Sequence, residues 1–174
     1  DADVEYLAHD SKYVYYYSAE VSPAERHLYR VNIATGKITR LTYAEGWHTC
    51  QLSSDKRYFT DNYSSLNVPR VVAVGSTDGR FYRELFRADD PCQDYNFAPI
   101  ELGTIRSADG KYDNHYRLIR PLDFDSTKQY PVILYVYGGP HTQLVRNSYQ
   151  GYLRRWEMYM AQRGYIVFVM DNRG

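Results

Sequence analysis

Cysteine is nearly absent: Cys50 and Cys92 are the two in 174 residues, and they form neither a CxxC pair nor a metal-ligand pattern. They read as packed thiols, since a disulfide would require an oxidising compartment. An excess of either charge is also missing, with 21 Lys plus Arg against 21 Asp plus Glu. That balance excludes the strongly basic face that marks a nucleic-acid or anionic-membrane partner. No apolar run approaches the roughly 20 residues of a spanning helix, and no signal peptide is expected. His9, His27, His48, His115 and His141 lack the spacing of metal ligands, so neither a metal nor a cofactor is expected. A Gly-x-Ser-x-Gly turn, the usual seat of a nucleophilic serine in an α/β enzyme, does not occur either.

Tyrosine, by contrast, is abundant: 20 residues within an aromatic fraction of 16%. Such side chains suit half-buried pleated surfaces and tilt the expectation toward β structure. The first half carries an internal repeat, in which Asp10–Ser18 parallels Asp55–Ser64. Each copy is followed by a proline (Pro23, Pro69), an alternating strand (His27–Val31, Arg70–Val74), a glycine turn (Gly36, Gly79) and a closing strand (Ile38–Leu41, Tyr82–Leu85). Gly36 and Gly79 lie 43 residues apart, and Leu41 and Leu85 lie 44 apart. Several short strands at that period are the pattern of β-propeller blades. One four-stranded sheet cannot cover both its faces, so such units stack round an axis, and two cannot close a ring. Residues 1–97 therefore read as about two blades of a partial β-propeller, with a β-sandwich of coincidental spacing as the alternative.

The repeat breaks in a polar, proline-bearing stretch at 89–99, and residues 98–174 follow a different plan. Gly103–Ser107 and Asn114–Arg120 flank Asp109-Gly110, a hairpin signal, and Pro121 ends the second strand. Tyr130–Val136 is near-continuously apolar, as a strand covered on both faces would be, and runs into Tyr137-Gly138-Gly139-Pro140. From Tyr149 onward, Tyr149, Tyr152, Leu153, Trp156, Tyr159 and Met160 fall on one helical face, and Gly164 is placed to end that helix. A second apolar strand, Tyr165–Met170, follows. Strand, loop, helix and strand in this order open an α/β fold.

Few residues in this frame could carry chemistry. Tyr137 at a strand end reads first as packing, and Gly138 and Gly139 as a turn that lets backbone approach a ligand. Ser148, His115 and His141 form no triad by spacing. Asp171 sits at a strand end, where triad acids do occur.

Ser22-Pro23-x-x-Arg26-His27-Leu28-Tyr29, Gly46-Trp47-His48, Tyr130-Pro131…Tyr137-Gly138-Gly139-Pro140 and Asp171-Asn172-Arg173-Gly174 occur in this order along the chain. Together they resemble the dipeptidyl peptidase IV branch of the prolyl oligopeptidase family of serine peptidases, over essentially the whole chain. The resemblance implies a mixed fold. The C-terminal blades of a β-propeller (1–97) would be followed by the first strands and helix of an α/β-hydrolase catalytic domain (98–174), which stops before the nucleophile elbow. It implies peptide substrates, release of N-terminal dipeptides with proline or alanine second, no cofactor, a homodimeric full-length protein and a periplasmic or cell-surface location. It makes the Tyr137 hydroxyl the side-chain donor of an oxyanion hole, and it puts Gly138, Gly139 and Pro140 beside the substrate pocket. The triad, and the glutamates that hold the substrate's amino terminus, would lie outside this chain, leaving it inactive alone. An acylaminoacyl peptidase of the same family is one alternative, disfavoured because Tyr137 stands where a histidine would be. A non-catalytic propeller-based binding module is the other.

Overall fold

Alternation along the tyrosine-rich strands builds two antiparallel meanders. β1 (Val4–His9), β2 (Tyr13–Ser18), β3 (His27–Asn32) and β4 (Ile38–Arg40) pair in sequence order. β5 (Trp47–Leu52), β6 (Tyr58–Ser65), β7 (Val68–Ser76) and β8 (Tyr82–Arg87) repeat the arrangement. The computed structural model describes residues 4–139 and 142–172, and the chain divides into two compact units. The two meanders, with Asn147–Tyr149, form the first unit; residues 90–146 and 150–174 form the second.

Within the first unit the meanders share one apolar core. Tyr15, Tyr17 and Leu28 of the first sheet meet Cys50 and Phe59 of the second, with Leu41 beside them. The Tyr17 hydroxyl donates to the Cys50 carbonyl at 2.9 Å and accepts from the Cys50 N–H at 2.6 Å. Burial pushes the Tyr17 phenol up to about 12. Several buried polar groups in the unit are paired as well. The fully buried His48 ring lies 2.8 Å from an Asp61 carboxylate oxygen and 2.8 Å from the Ala44 carbonyl, and His27 lies 2.8 Å from Glu25. Glu25 also accepts from the Asn147 side-chain amide at 3.0 Å. Burial raises the Glu25 pKa, but the hydrogen bonds from His27 and Asn147 outweigh it and hold the carboxyl below its usual value. Four-stranded meanders stacked in this way, mostly antiparallel and with little helix, are consistent with propeller blades.

The second unit is built on a mixed sheet. β9 (Ile100–Arg106) and β10 (Asp113–Ile119) make the expected hairpin; β11 (Val132–Tyr135) and β12 (Ile166–Met170) are parallel, and the strand order is β11-β12-β10-β9. The connection from β11 to β12 contains helix α1 (Arg155–Gln162). Ile119, Val167 and Val169 of the sheet pack with Met158 and Ala161 of the helix and with Leu144 and Val145 of the loop.

Two expectations for this unit need correction. β11 is not covered on both faces: Val132 and Leu134 are each 60% exposed, while Tyr135 packs on the core. β11 is the edge strand, and apolar continuity in its sequence does not create a second covering layer. The helix also starts later than Tyr149. Gln150 and Gly151 adopt left-handed backbone conformations, φ 55° and 60°, which no right-handed helix accommodates. The buried side of α1 is Glu157, Met158 and Ala161, whereas Trp156 and Tyr159 are exposed. An ion pair, described below, brings the charged Glu157 inside and so turns the helix away from its most aromatic face. Gly164 ends the helix as expected, at φ 89°, with its N–H on the Ala161 carbonyl.

Candidate active site

The chain leaves β11 at Tyr135 and reaches Tyr137 two residues later, at the carboxyl end of the parallel β11–β12 pair. Open α/β sheets bind ligands at that end of their parallel strands. The Tyr137 side chain is 48% exposed. Gly138 takes φ 70°, which a side chain would strain, and a Cβ on it would meet nothing within 4 Å. Gly139 lies against the Tyr137 ring. Tyr135, one turn of the pleat earlier, is held edge-on to Trp156 of α1 and is covered by the Arg154 guanidinium. Pro140 and His141 lie outside the described residues.

The loop after the Gly-Gly pair is clamped from two sides. Asp171, just past β12, accepts from the Leu144 N–H at 2.8 Å through one carboxylate oxygen and from the Val145 N–H at 2.9 Å through the other. Arg117, on β10 and only 2% exposed, donates to the Leu144 and Gly151 carbonyls and pairs with the buried Glu157. Asp171 is therefore a loop anchor, with both oxygens occupied by backbone. A triad role needs an oxygen facing a histidine, and its N–H meets only the backbone carbonyl of His115. The Ser148 hydroxyl is buried away from hydrogen-bond partners among the described residues. Ser148 belongs to the first unit and His115 to the second.

Sequence reasoning missed the Arg117–Glu157 pair and the structural use of Asp171. The available signal was slight: Arg117 stands between Tyr116 and Leu118, and Glu157 stands between Trp156 and Met158. Cys50 and Cys92 are both free thiols. Among the described residues, no group of three or more His, Cys, Asp and Glu side chains is arranged to hold a metal, and no helix is long and apolar enough to cross a membrane. An open cleft of about 300 Å³ in the first unit is lined by Trp47, Asn62, Tyr63 and Arg70. Arg70 already donates to Asn62 there.

A sequence profile described as the dipeptidyl peptidase IV (DPP IV) N-terminal region matches residues 2–70. Dipeptidyl peptidase 8 of Homo sapiens is 32% identical over 172 residues, which is 92% of this chain and 19% of that protein. Dipeptidyl peptidase 4 of Porphyromonas gingivalis superposes with a TM-score of 0.84 at 30% identity, covering 99% of this chain and 25% of that one. A Bacteroides ovatus chain named for dipeptidyl aminopeptidase IV gives a TM-score of 0.86 at 39% identity, covering 98% of this chain and 25% of its own. The relatives are thus named as dipeptidyl peptidases. The chain itself belongs to the dipeptidyl peptidase IV family. It spans about a fifth of the length of the curated relative and a quarter of each solved structure.

Proposed function

We propose that the chain is part of a serine dipeptidyl peptidase that releases N-terminal dipeptides with proline or alanine in second place. Residues 1–97 are the last blades of its propeller, and residues 98–174 open its α/β-hydrolase domain. The observation that carries this reading is the match at 39% identity along 98% of the chain to a structure named for this activity. The Tyr137 hydroxyl is the side-chain oxyanion donor, supported by its exposure at the carboxyl end of a parallel strand pair. Attack on the scissile carbonyl places negative charge on oxygen, and a fixed O–H aimed at that oxygen stabilises the transition state more than the substrate. Gly138 and Gly139 border the pocket in which that carbonyl sits. The nucleophile, acid and base come from sequence outside this chain, and the substrate's amino terminus is held by propeller residues that also lie outside it. Two such subunits form the working dimer.

The test compares the full-length protein with the 174-residue chain on Gly-Pro-p-nitroanilide. The full-length enzyme is expected to turn over the substrate and to be silenced by a serine-directed covalent inhibitor; the chain alone is expected to be inert, having no activated nucleophile. Inhibitor-sensitive turnover by the purified chain would overturn the assignment of the triad to outside sequence. A full-length protein inert toward both Gly-Pro and Ala-Pro substrates would favour the binding-module reading.

A further inference from the structure

The geometry points to Gly139 as the residue that seats the Tyr137 ring, so that the second glycine orients the phenol; this rests on the reading of Tyr137 as the oxyanion donor. A Cβ built on Gly139 would lie 2.7 Å from Tyr137 Cε1, 3.3 Å from Cζ and 3.4 Å from Cδ1. Those three atoms are consecutive, so one edge of the ring runs across the place that a side chain at 139 would fill. Gly138 is different: its Cβ would meet open space, and its requirement is the left-handed φ of 70°. The first glycine turns the backbone and the second makes room for the ring.

The consequence follows from which partner can yield. A separation of 2.7 Å is inside van der Waals contact, so a methyl group at 139 and the ring cannot both keep their places. The ring is half-exposed and pivots about its own side-chain bonds, so it swings outward while the strand stays. The hydroxyl, at the far end of the lever, moves furthest. A displacement of about 1 Å at a catalytic group costs on the order of a hundredfold in rate. Gly139→Ala is therefore a positional knockout of Tyr137 that leaves the phenol chemically intact.

The experiment is a double-mutant cycle in the full-length enzyme: wild type, Tyr137→Phe, Gly139→Ala and both together, with kcat, KM and Tm measured for each on Gly-Pro-p-nitroanilide. Tyr137→Phe is expected to lower kcat by about 10²–10³-fold, and Gly139→Ala by about 10–10²-fold. KM and Tm of Gly139→Ala should stay near wild type. The double variant should be no slower than Tyr137→Phe, because seating a ring that has no hydroxyl brings nothing. Normal kcat in Gly139→Ala beside a damaged Tyr137→Phe would overturn the seating role and leave the donor reading intact. Normal kcat in Tyr137→Phe would overturn the donor reading itself, and the seating role with it. Losses that multiply in the double variant, a raised KM, or a Gly139→Ala protein that fails to fold would each show that Gly139 serves the backbone or the pocket, and would overturn the inference.

Discussion

Hydrogen bonding dictates where a proton sits at His48. The Ala44 carbonyl can only accept, so the ring nitrogen facing it, Nε2, carries hydrogen. The other nitrogen faces Asp61, 2.8 Å away, and that contact needs one shared proton, held by the imidazole or by the carboxyl. Asp61 accepts from the Tyr82 hydroxyl as well, at 2.8 Å, and the His48 and Asp61 side chains are sealed from water. Burial first, and then the neighbouring Asp61 charge, drives the Cys50 thiol well above its ordinary value, which makes it a packing group and not a nucleophile. Removing Asp61 would orphan the His48 ring in the interior and take away the partner of the Tyr82 hydroxyl. Asp61→Ala should destabilise the protein by about 3 kcal/mol, read as a lowered urea midpoint in the full-length protein. A loss below about 1 kcal/mol would mean that His48 finds another partner, and the pairing would not be structural.

Among the elements, three hairpins share one turn. In Ser53–Tyr58, Ser76–Phe81 and Ser107–Tyr112 the serine hydroxyl donates to the aspartate two residues on, at 2.7, 2.6 and 2.6 Å. The same hydroxyl accepts the N–H of the aromatic residue five positions on, and the aspartate accepts an N–H two residues further along. For Asp55 and Asp78 the serine hydrogen bond, followed by the backbone one, holds the carboxyl below its usual value. The residue after the aspartate has positive φ in each copy: Lys56 at 58°, Gly79 at 78° and Gly110 at 70°. Lys56 is the exception, because a side chain in this region costs about 1–2 kcal/mol, only partly offset by the backbone entropy that glycine loses on folding. Lys56→Gly should raise stability by roughly 0.5–1 kcal/mol and Gly110→Lys should lower it by a similar amount, both measured by denaturant titration. A less stable Lys56→Gly protein would show that the lysine stem contributes packing in this turn.

Turn chemistry of this kind is written locally, which is why Asp78-Gly79 and Asp109-Gly110 announced their hairpins from sequence and the blade period was legible. Contacts between distant residues were not. Arg117 and Glu157 are 40 positions apart, and Asp171 is 27 from Leu144, so no periodicity could pair them. The helix was misplaced because its face was inferred from aromatic residues, while the buried charge on Glu157 followed a partner on another strand. β1 gave no signal because Val4–His9 neither repeats nor alternates clearly. At the candidate site the position of Tyr137 was visible as a strand end. Its contact with Gly139 depends on a side-chain rotation that sequence does not express.

At the scale of the whole chain, the surface left open in each unit governs behaviour in solution. In the first unit, β8 exposes Leu85 and Phe86, and β1 at the other extreme exposes Val4 and Tyr6. In the second, the edge strand β11 presents Val132 and Leu134, followed by Val136. Apolar side chains on terminal and edge strands, beside unpaired backbone groups, are templates for association. In the full-length protein, the blades and parallel strands that we propose outside this chain cover these surfaces. The 174-residue chain alone should therefore bind an apolar dye such as ANS and sediment as concentration-dependent oligomers, whereas the full-length protein should bind little dye. A strictly monomeric chain that melts cooperatively and leaves the dye dark would mean that these strands are self-sufficient. The division into two partial domains would then fail, however good the match to the longer relatives.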